Sequence, residues 1–564
     1  MIFGCVAAPA RAQSGSNGSS SSKLVTKQPE RSAAVRSKNS KPPVTMENIE
    51  SDMAEALTLV QDNYVDGKKL DYNELFKSSI ESMLHTLDPH SNYFDSKEFE
   101  AFMTEQQSQY FGIGATIGDL REGDTTWTYI RATFPDAPAN RAGLRYGDKI
   151  LEVNGVSMKN KPSFDVRSNL RGPRGTTAKV VIERNGTKEQ KTVEIVRDAV
   201  PQPSIPEVYM IRPGVGYIAM TGGFNQTTSS EFAEAMQELK AQGMKQLVLD
   251  LRNNGGGLVI QAVRVASAFL QKGQVVFTQK GRVPGTDGKY PSNNPNPDET
   301  PLVVLVNGNT ASASEILSGA LQDHDRALIV GEPTFGKGLV QNPFPLPYNS
   351  ALLLTIAKYQ TPSGRTIQRD YSKISFYDYQ TQGGTLHDEN SSKKPTGPES
   401  RTDTGRVVYG GNGIAPDETV KPATLNPLEI RLNQPVFAFA LDLTAGKLSN
   451  FANLKTDAPI DFEHDFKSTE LPVSDALFAA FKSFVASKPD YKMFTAAQID
   501  KERDFIVRQL RYELATAAYG STTSFRVFNE TDPQLKRAIE LLPKAQQLAK
   551  AAAQARTTAK TPVN

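Results

Sequence analysis

Between Val215 and Val420 short apolar runs of strand length alternate with stretches of helical periodicity, and that alternation restricts the segment to an α/β layer. The runs are Gly216 to Met220, Gln246 to Leu251, Pro301 to Val306 and Ala327 to Val330, separated by helical Ser229 to Gln242, Gln261 to Leu270 and Ser314 to Leu321. Pro301 to Val306 suits a buried strand, and it passes through Asn307-Gly308-Asn309-Thr310 into Ala311-Ser312-Ala313-Ser314-Glu315-Ile316. A serine where a strand enters a helix stands at a sharp turn beside free backbone N–H groups, a geometry that can stabilise an oxyanion. Serine is also a common helix cap, and with Glu315 three residues on, Ser312 fits a capping box equally well. This stretch alone leaves nucleophile and cap both open.

The rest of the 564 residues divides by composition. Residues 1–43 read as a leader remnant and flexible tether: Met1 to Ala12 is small and apolar and ends in Ala10-Arg11-Ala12, like a signal-peptide cleavage site, and Ser14 to Ser22 is nearly all Ser and Gly. Residues 44–102 carry helical spacing, as in Met53, Ala56, Leu57 and Val60, and form a helical N-terminal cap; His85 and His90 lie here without a third metal ligand. Residues 103–200 turn to short β-rich segments, two of them joined by the hairpin signal Asn185-Gly186. Residues 201–428 hold the α/β core, and 429–564 are helical, with a packing or partner-binding role and an Ala-, Gln- and Lys-rich end from Lys544 that is either a last helix or a tail.

Composition removes several classes of function. Lys and Arg total 64 against 62 for Asp and Glu, a net charge of +2 that gives no reason to expect nucleic acid or a membrane surface as partner. No apolar run is long enough to span a bilayer. Cys5 is the only cysteine, so disulfide frameworks and Cys-rich zinc sites are excluded.

After the strand Ala327 to Val330 comes Gly331-Glu332-Pro333-Thr334-Phe335-Gly336-Lys337-Gly338-Leu339-Val340-Gln341. A lysine between glycines could hold a phosphate, but the stretch lacks the Gly-Lys-Ser/Thr ending of a P-loop. Taken with Ser312 to Ile316, Gln322-Asp323 and Arg326-Ala327, it resembles the carboxyl-terminal processing peptidases, the tail-specific serine proteases of family S41. Asp88-Pro89-His90-Ser91, Leu249-Asp250-Leu251-Arg252-Asn253-Asn254-Gly255-Gly256-Gly257-Leu258 and Tyr359 with Thr361 to Arg365 agree in order and spacing. Tyr110-Phe111-Gly112-Ile113-Gly114 and the run Ala142 to Gly155 resemble a PDZ domain. The resemblance departs at an insertion near residues 369–412, before Gly413-Ile414-Ala415-Pro416-Asp417, and in the length of the C-terminal helical unit.

The resemblance implies an α/β multidomain chain with a helical cap, a PDZ domain, a ClpP/crotonase-like peptidase core and a helical C-terminal unit. It implies Ser312 as nucleophile, Lys337 as general base and Gln341 as the residue orienting the lysine amine, with no metal or cofactor. The oxyanion would be met by the N–H of Ala313 and one from the Gly256 or Gly257 turn. Phe111, Gly112, Ile113 and Gly114 would hold the terminal carboxylate of a peptide added to a sheet edge. Arg171 is the expected link between an occupied PDZ domain and the core. The chemistry is consistent: of five histidines His324 alone lies in the core proper, near a helix end where a solvated role is expected, and His387 lies in the insertion. A lysine base must be buried to be neutral near pH 7, and Phe335, Leu339 and Val340 are apolar neighbours. The expected activity is an exported, periplasmic or envelope-associated endopeptidase acting on proteins with apolar C-termini, and a homo-oligomer or an adaptor would be compatible with it. The alternatives are a non-catalytic PDZ scaffold and a crotonase-like acyl-transfer enzyme, the latter disfavoured by the PDZ unit and the Ser-Lys spacing.

Overall fold

The computed structural model describes residues 45–372, 375–381, 397–456 and 459–560, and divides into two compact units at Ser82/Met83. The expected tether at 1–43, Cys5 and His387 lie outside the described residues. In the first unit the helix Met46–Asn63 is capped by Thr45, whose side chain accepts the Asn48 N–H at 3.3 Å, and buries none of its residues. A second helix, Tyr72–His85, runs across the division.

The second unit is built around a six-stranded sheet in which Gln246–Asp250, Leu302–Val306 and Leu328–Gly331 run parallel between Val215–Ala219 and Glu418–Thr419. Side chains alternate across its two faces. Leu247, Leu249, Leu302, Val304 and Val306 pack with Phe232, Ala262, Ile316 and Leu317 from the helices Thr228–Ala241, Val259–Ser267 and Ala313–Asp323. Val248, Val303 and Leu305 pack on the opposite face against Leu535, Ala538, Leu541 and Leu542 of the helix Pro533–Lys560. The stretch from Lys544 read as a last helix or a tail continues this helix to Lys560, and its Ala545 joins the same cluster. A second sheet joins Asn92–Phe94, Val275–Gly281, Gly288–Pro291, Leu339–Pro345 and Ala351–Gln360.

The β-rich unit forms a sheet whose edge strand is Ala115–Glu122, followed in space by Thr125–Thr133, Lys149–Val153, Thr177–Glu183 and Gln190–Val196. The helix Ser163–Leu170 packs beside the edge strand. The hairpin expected at Asn185-Gly186 forms, with a loop from Arg184 to Glu189 instead of a two-residue turn, and its tip docks on the C-terminal unit, where Asn185 Nδ2 donates to the Leu441 carbonyl at 3.0 Å. The helices Pro427–Thr444, Asp475–Ser487 and Arg503–Asn529 have a core of their own, with Phe439, Phe481 and Leu510 fully enclosed. They also hold the β-rich unit: Arg131 pairs with the buried Glu513, whose other oxygen accepts the Tyr146 hydroxyl at 2.8 Å, and Arg131 lies 3.6 Å from the centroid of the Phe437 ring.

Candidate active site

Ser312 stands past the carboxyl end of the buried strand Leu302–Val306, where open α/β sheets place their sites. Its φ of 57° and ψ of −115° lie in a region that costs a non-glycine residue conformational energy, the backbone signature of a displayed nucleophile. The turn is held from below by Asn254. Its carbonyl accepts the Ala311 N–H and the Ser314 hydroxyl, both at 3.0 Å, and its side chain donates to the Met220 carbonyl at 2.6 Å. Ser312 and Glu315 stand in the expected capping-box arrangement, with Glu315 Oε2 accepting the Ser312 N–H at 2.8 Å. The Glu315 N–H bonds to the Ser312 carbonyl, also at 2.8 Å.

Glu315 does more than cap. It is fully buried, and it also accepts the Gly336 N–H at 2.7 Å, the Lys337 N–H at 2.9 Å and the Thr334 hydroxyl. From the other side the buried Tyr359 hydroxyl meets the Ser312 carbonyl at 3.1 Å and the Lys337 carbonyl at 2.9 Å. A third tie is the Phe335 N–H to the Thr310 carbonyl at 2.9 Å. The serine turn and the lysine loop are thus one hydrogen-bonded body. Burial raises the Glu315 carboxyl to about 7 against the pull of its four donors.

Lys337 is partly buried, and desolvation lowers its amine to about 8, opposed by the negative charges of Asp88 and Glu315. His90 lies near enough to feel that amine. Burial, then the charge of Lys337, lower its imidazole to about 3 despite Asp88, so the ring is neutral at working pH. His90 Nε2 meets the Tyr379 hydroxyl at 2.9 Å, and that hydroxyl accepts from Gln368 Nε2 at 2.9 Å. Gln368 Oε1 accepts the Gly338 N–H at 2.8 Å, next to the lysine. Asp88 is occupied by the N–H groups of His90 and Ser91 and by the Ser91 hydroxyl, at 2.7 to 2.8 Å. Among the described residues no hydrogen bond joins Ser312 Oγ to Lys337 Nζ, or Lys337 Nζ to Gln341. Gln341 lies on Leu339–Pro345, and its buried Nε2 has no partner, so the amide is not spent on the sheet.

The two candidate glycines differ. The Gly256 N–H is taken by Asn254 Oδ1 at 2.9 Å. The Gly256 carbonyl accepts the Phe224 N–H at 2.8 Å, and in a trans peptide this turns the Gly257 N–H the opposite way. Gly257, not Gly256, thus has a donor to offer beside that of Ala313 at the helix start. Gly256 is needed for closeness: with φ at 95°, a Cβ there would lie 2.7 Å from the Ala311 carbonyl oxygen and 2.8 Å from Ser312 Cβ.

In the β-rich unit Phe111 and Gly112 end the strand Gln109–Gly112. The Ile113 carbonyl accepts the Ala139 N–H at 2.7 Å and the Gly114 carbonyl the Phe134 N–H at 3.1 Å. Planar trans peptides therefore aim the Gly114 and Ala115 N–H groups away from those anchors. Arg171 ends the helix Ser163–Leu170 with its guanidinium 4.9 Å from the Tyr110 ring centroid and Glu105 within electrostatic reach; this places it at the Gly112 end of that helix. The solvated role expected of His324 is not what the structure shows. It is buried, with Nδ1 2.9 Å from Asp403 Oδ2 and Nε2 2.8 Å from the Val275 carbonyl, so both ring nitrogens are spent on distant parts of the chain. Asn254, Asp88 and Tyr359 lie in motifs that give them no role by sequence, and Glu315 reads from sequence only as a capping partner. Tyr379 carried no sequence signal.

A model of peptidase family S41 matches residues 214–374, and a PDZ domain model matches 130–184. The chain is 36% identical over 303 residues to the carboxy-terminal-processing protease of Bartonella bacilliformis, covering 53% of this chain and 68% of that protein. It is 35% identical over 315 residues to the carboxyl-terminal-processing protease of Synechocystis sp., covering 55% of this chain and 72% of the relative. Among solved structures it is similar to a photosystem II D1 C-terminal processing protease, at 29% identity and a TM-score of 0.35, over 67% of this chain and 94% of the other. The family models and the relatives together define a PDZ-containing serine protease. The chain belongs to the carboxyl-terminal processing protease family, peptidase family S41.

Proposed function

We propose that this chain is a Ser-Lys endopeptidase that captures apolar protein C-termini in its PDZ groove and cuts the captured chain internally. The observation that carries this reading is the single body formed by the strained Ser312 turn and the Lys337 loop, fastened through Glu315 and Tyr359. Neutral Lys337 takes the Ser312 proton as Oγ attacks the scissile carbonyl and returns it to the leaving amine. The N–H groups of Ala313 and Gly257 receive the oxyanion, and Gln341 aims the lysine lone pair. Contacts between nucleophile and base tighten on substrate binding, so the open Ser312–Lys337 geometry of the free chain is compatible with this role. The Gly114 and Ala115 N–H groups are aimed to receive a terminal carboxylate. The substrates are exported proteins, and the enzyme works in the periplasm or envelope.

The test is incubation of the full chain with a disordered polypeptide ending in small apolar residues, beside Ser312→Ala and Lys337→Ala, with fragments identified by mass spectrometry. Internal cuts by the wild type alone support the dyad; cleavage surviving Lys337→Ala overturns the base assignment. Capture of the tail without cleavage by any of the three favours the scaffold. Fractionation that finds the chain in the cytosol overturns the proposed location.

A further inference from the structure

The edge strand Ala115–Glu122 and the helix Ser163–Leu170 run antiparallel. The Asp119 carboxylate accepts the Ser163 N–H at 3.0 Å at one end, and Arg171 approaches Gly112 at the other. A tail added to this edge with its carboxylate at Gly114 and Ala115 would advance toward Asp119. That end is already occupied. Gln434, on the helix Pro427–Thr444 of the C-terminal unit, accepts the Arg121 N–H through Oε1 at 3.1 Å and donates through Nε2 to the Asp119 carbonyl at 3.3 Å. Just beyond, Asp490 Oδ2 accepts the Gly123 N–H at 3.0 Å. The side-chain amide fills the place of a neighbouring strand on two backbone groups that face away from Thr125–Thr133.

We infer that Gln434 sets the length of tail that the groove reads, by ending the strand-adding edge at Asp119. The inference rests on the tail-capture reading above. Outward backbone groups alternate along an antiparallel edge, and the register is unbroken from Ile117 to Glu122, so Ile117 faces outward with Asp119 and Arg121. Ile117 is then the last residue free to exchange both backbone bonds with an added strand. It lies opposite the third residue from the tail's end, and the fifth residue from the end would need the Asp119 carbonyl that Gln434 holds. Recognition therefore stops after about four residues, and the substrate must leave strand geometry there. A helix far along the chain thus acts as a specificity-determining element of the β-rich unit.

The experiment uses the full chain carrying Ser312→Ala, so that bound peptides stay intact, and reads fluorescence anisotropy with N-terminally labelled peptides of three to eight residues sharing one apolar C-terminus. Affinity is expected to level off by four residues, varying less than about twofold beyond, whereas adding Gln434→Ala lets six-residue peptides bind about fivefold tighter than four-residue ones, the worth of one released hydrogen bond. N-methylation of the third residue from the end is expected to weaken binding in both proteins, and of the fifth only in the Gln434→Ala protein. Affinity that keeps rising past four residues in the parent, or loss on methylating its fifth residue, overturns the inference; this arm needs no variant of Gln434. Peptides that bind at no length overturn the tail-capture reading itself.

Discussion

Lys337 must lose a proton to act as a base, and its surroundings set the pH at which it does. Desolvation brings the amine to about 8, and it would be lower still without Asp88 and Glu315 nearby. Under the proposed mechanism kcat/KM rises with pH through about 8 and reaches a plateau, because only the neutral amine accepts the Ser312 proton. A profile with its midpoint near 6.5 would point to a histidine instead. The same shift has a cost in stability. A lysine with a folded pKa below its unfolded value binds fewer protons when folded, so the penalty is full below about 8, shrinks between about 8 and the unfolded value near 10.4, and is gone above it. Lys337→Met is therefore expected to raise the Tm at pH 7 by about 2–4 °C and to leave it nearly unchanged at pH 10.5, measured by calorimetry.

Two short elements bring the site together. The glycine turn after Gln246–Asp250 passes so close to Ser312 that a methyl group has nowhere to go, with backbone atoms at 2.7 and 2.9 Å and a φ of 95°. Gly256→Ala is expected to lower kcat at least a hundredfold while the tail capture proposed for the PDZ groove is unchanged, which separates damage to the turn from general unfolding. The inserted helix Phe376–Thr381 is the second element. Its Tyr379 ring packs on Phe335 and on His90, with Arg369 4.4 Å from the ring centroid, and its hydroxyl bridges His90 to Gln368. Tyr379→Phe keeps the ring and removes the bridge. We expect about a tenfold fall in kcat with KM unchanged, in steady-state kinetics on a fluorogenic peptide, the scale of one or two lost hydrogen bonds. The periodicity and turn signals of the core strands were readable in advance, whereas Ser312, which fits a cap equally well, and Lys337 stood out only through the family resemblance of their motifs. Tyr379 was not, because its contacts, with His90 289 positions away among them, come from tertiary packing of a segment with no periodic pattern.

For the second unit as a whole, the C-terminal helices are structural partners of the parts that bear the proposed chemistry. The helix Pro533–Lys560 covers one face of the central sheet, and Arg252 Nη1, just before the glycine turn, donates to Asp532 at 2.6 Å and to Gln534 at 2.9 Å. Leu542, fully enclosed there, is expected on change to alanine to cost about 2–5 kcal/mol in denaturant unfolding of the core, and a loss under 1 kcal/mol would show the helix to be loosely docked. The sequence by itself determined the α/β class and the β-rich unit before it, since hydrophobic periodicity and turn chemistry act over a few residues, and its motifs carried the family resemblance that singles out Ser312 and Lys337 as candidates. Only the tertiary structure decided that Glu315 ties two loops together, that the Gly257 N–H is turned away from the Gly256 carbonyl, that His324 is enclosed, and that Gln434 bonds to the edge of the β-rich sheet. Each of those depends on which backbone groups remain unpaired once distant elements have packed, and pairing over long separations in the chain leaves no local pattern to read.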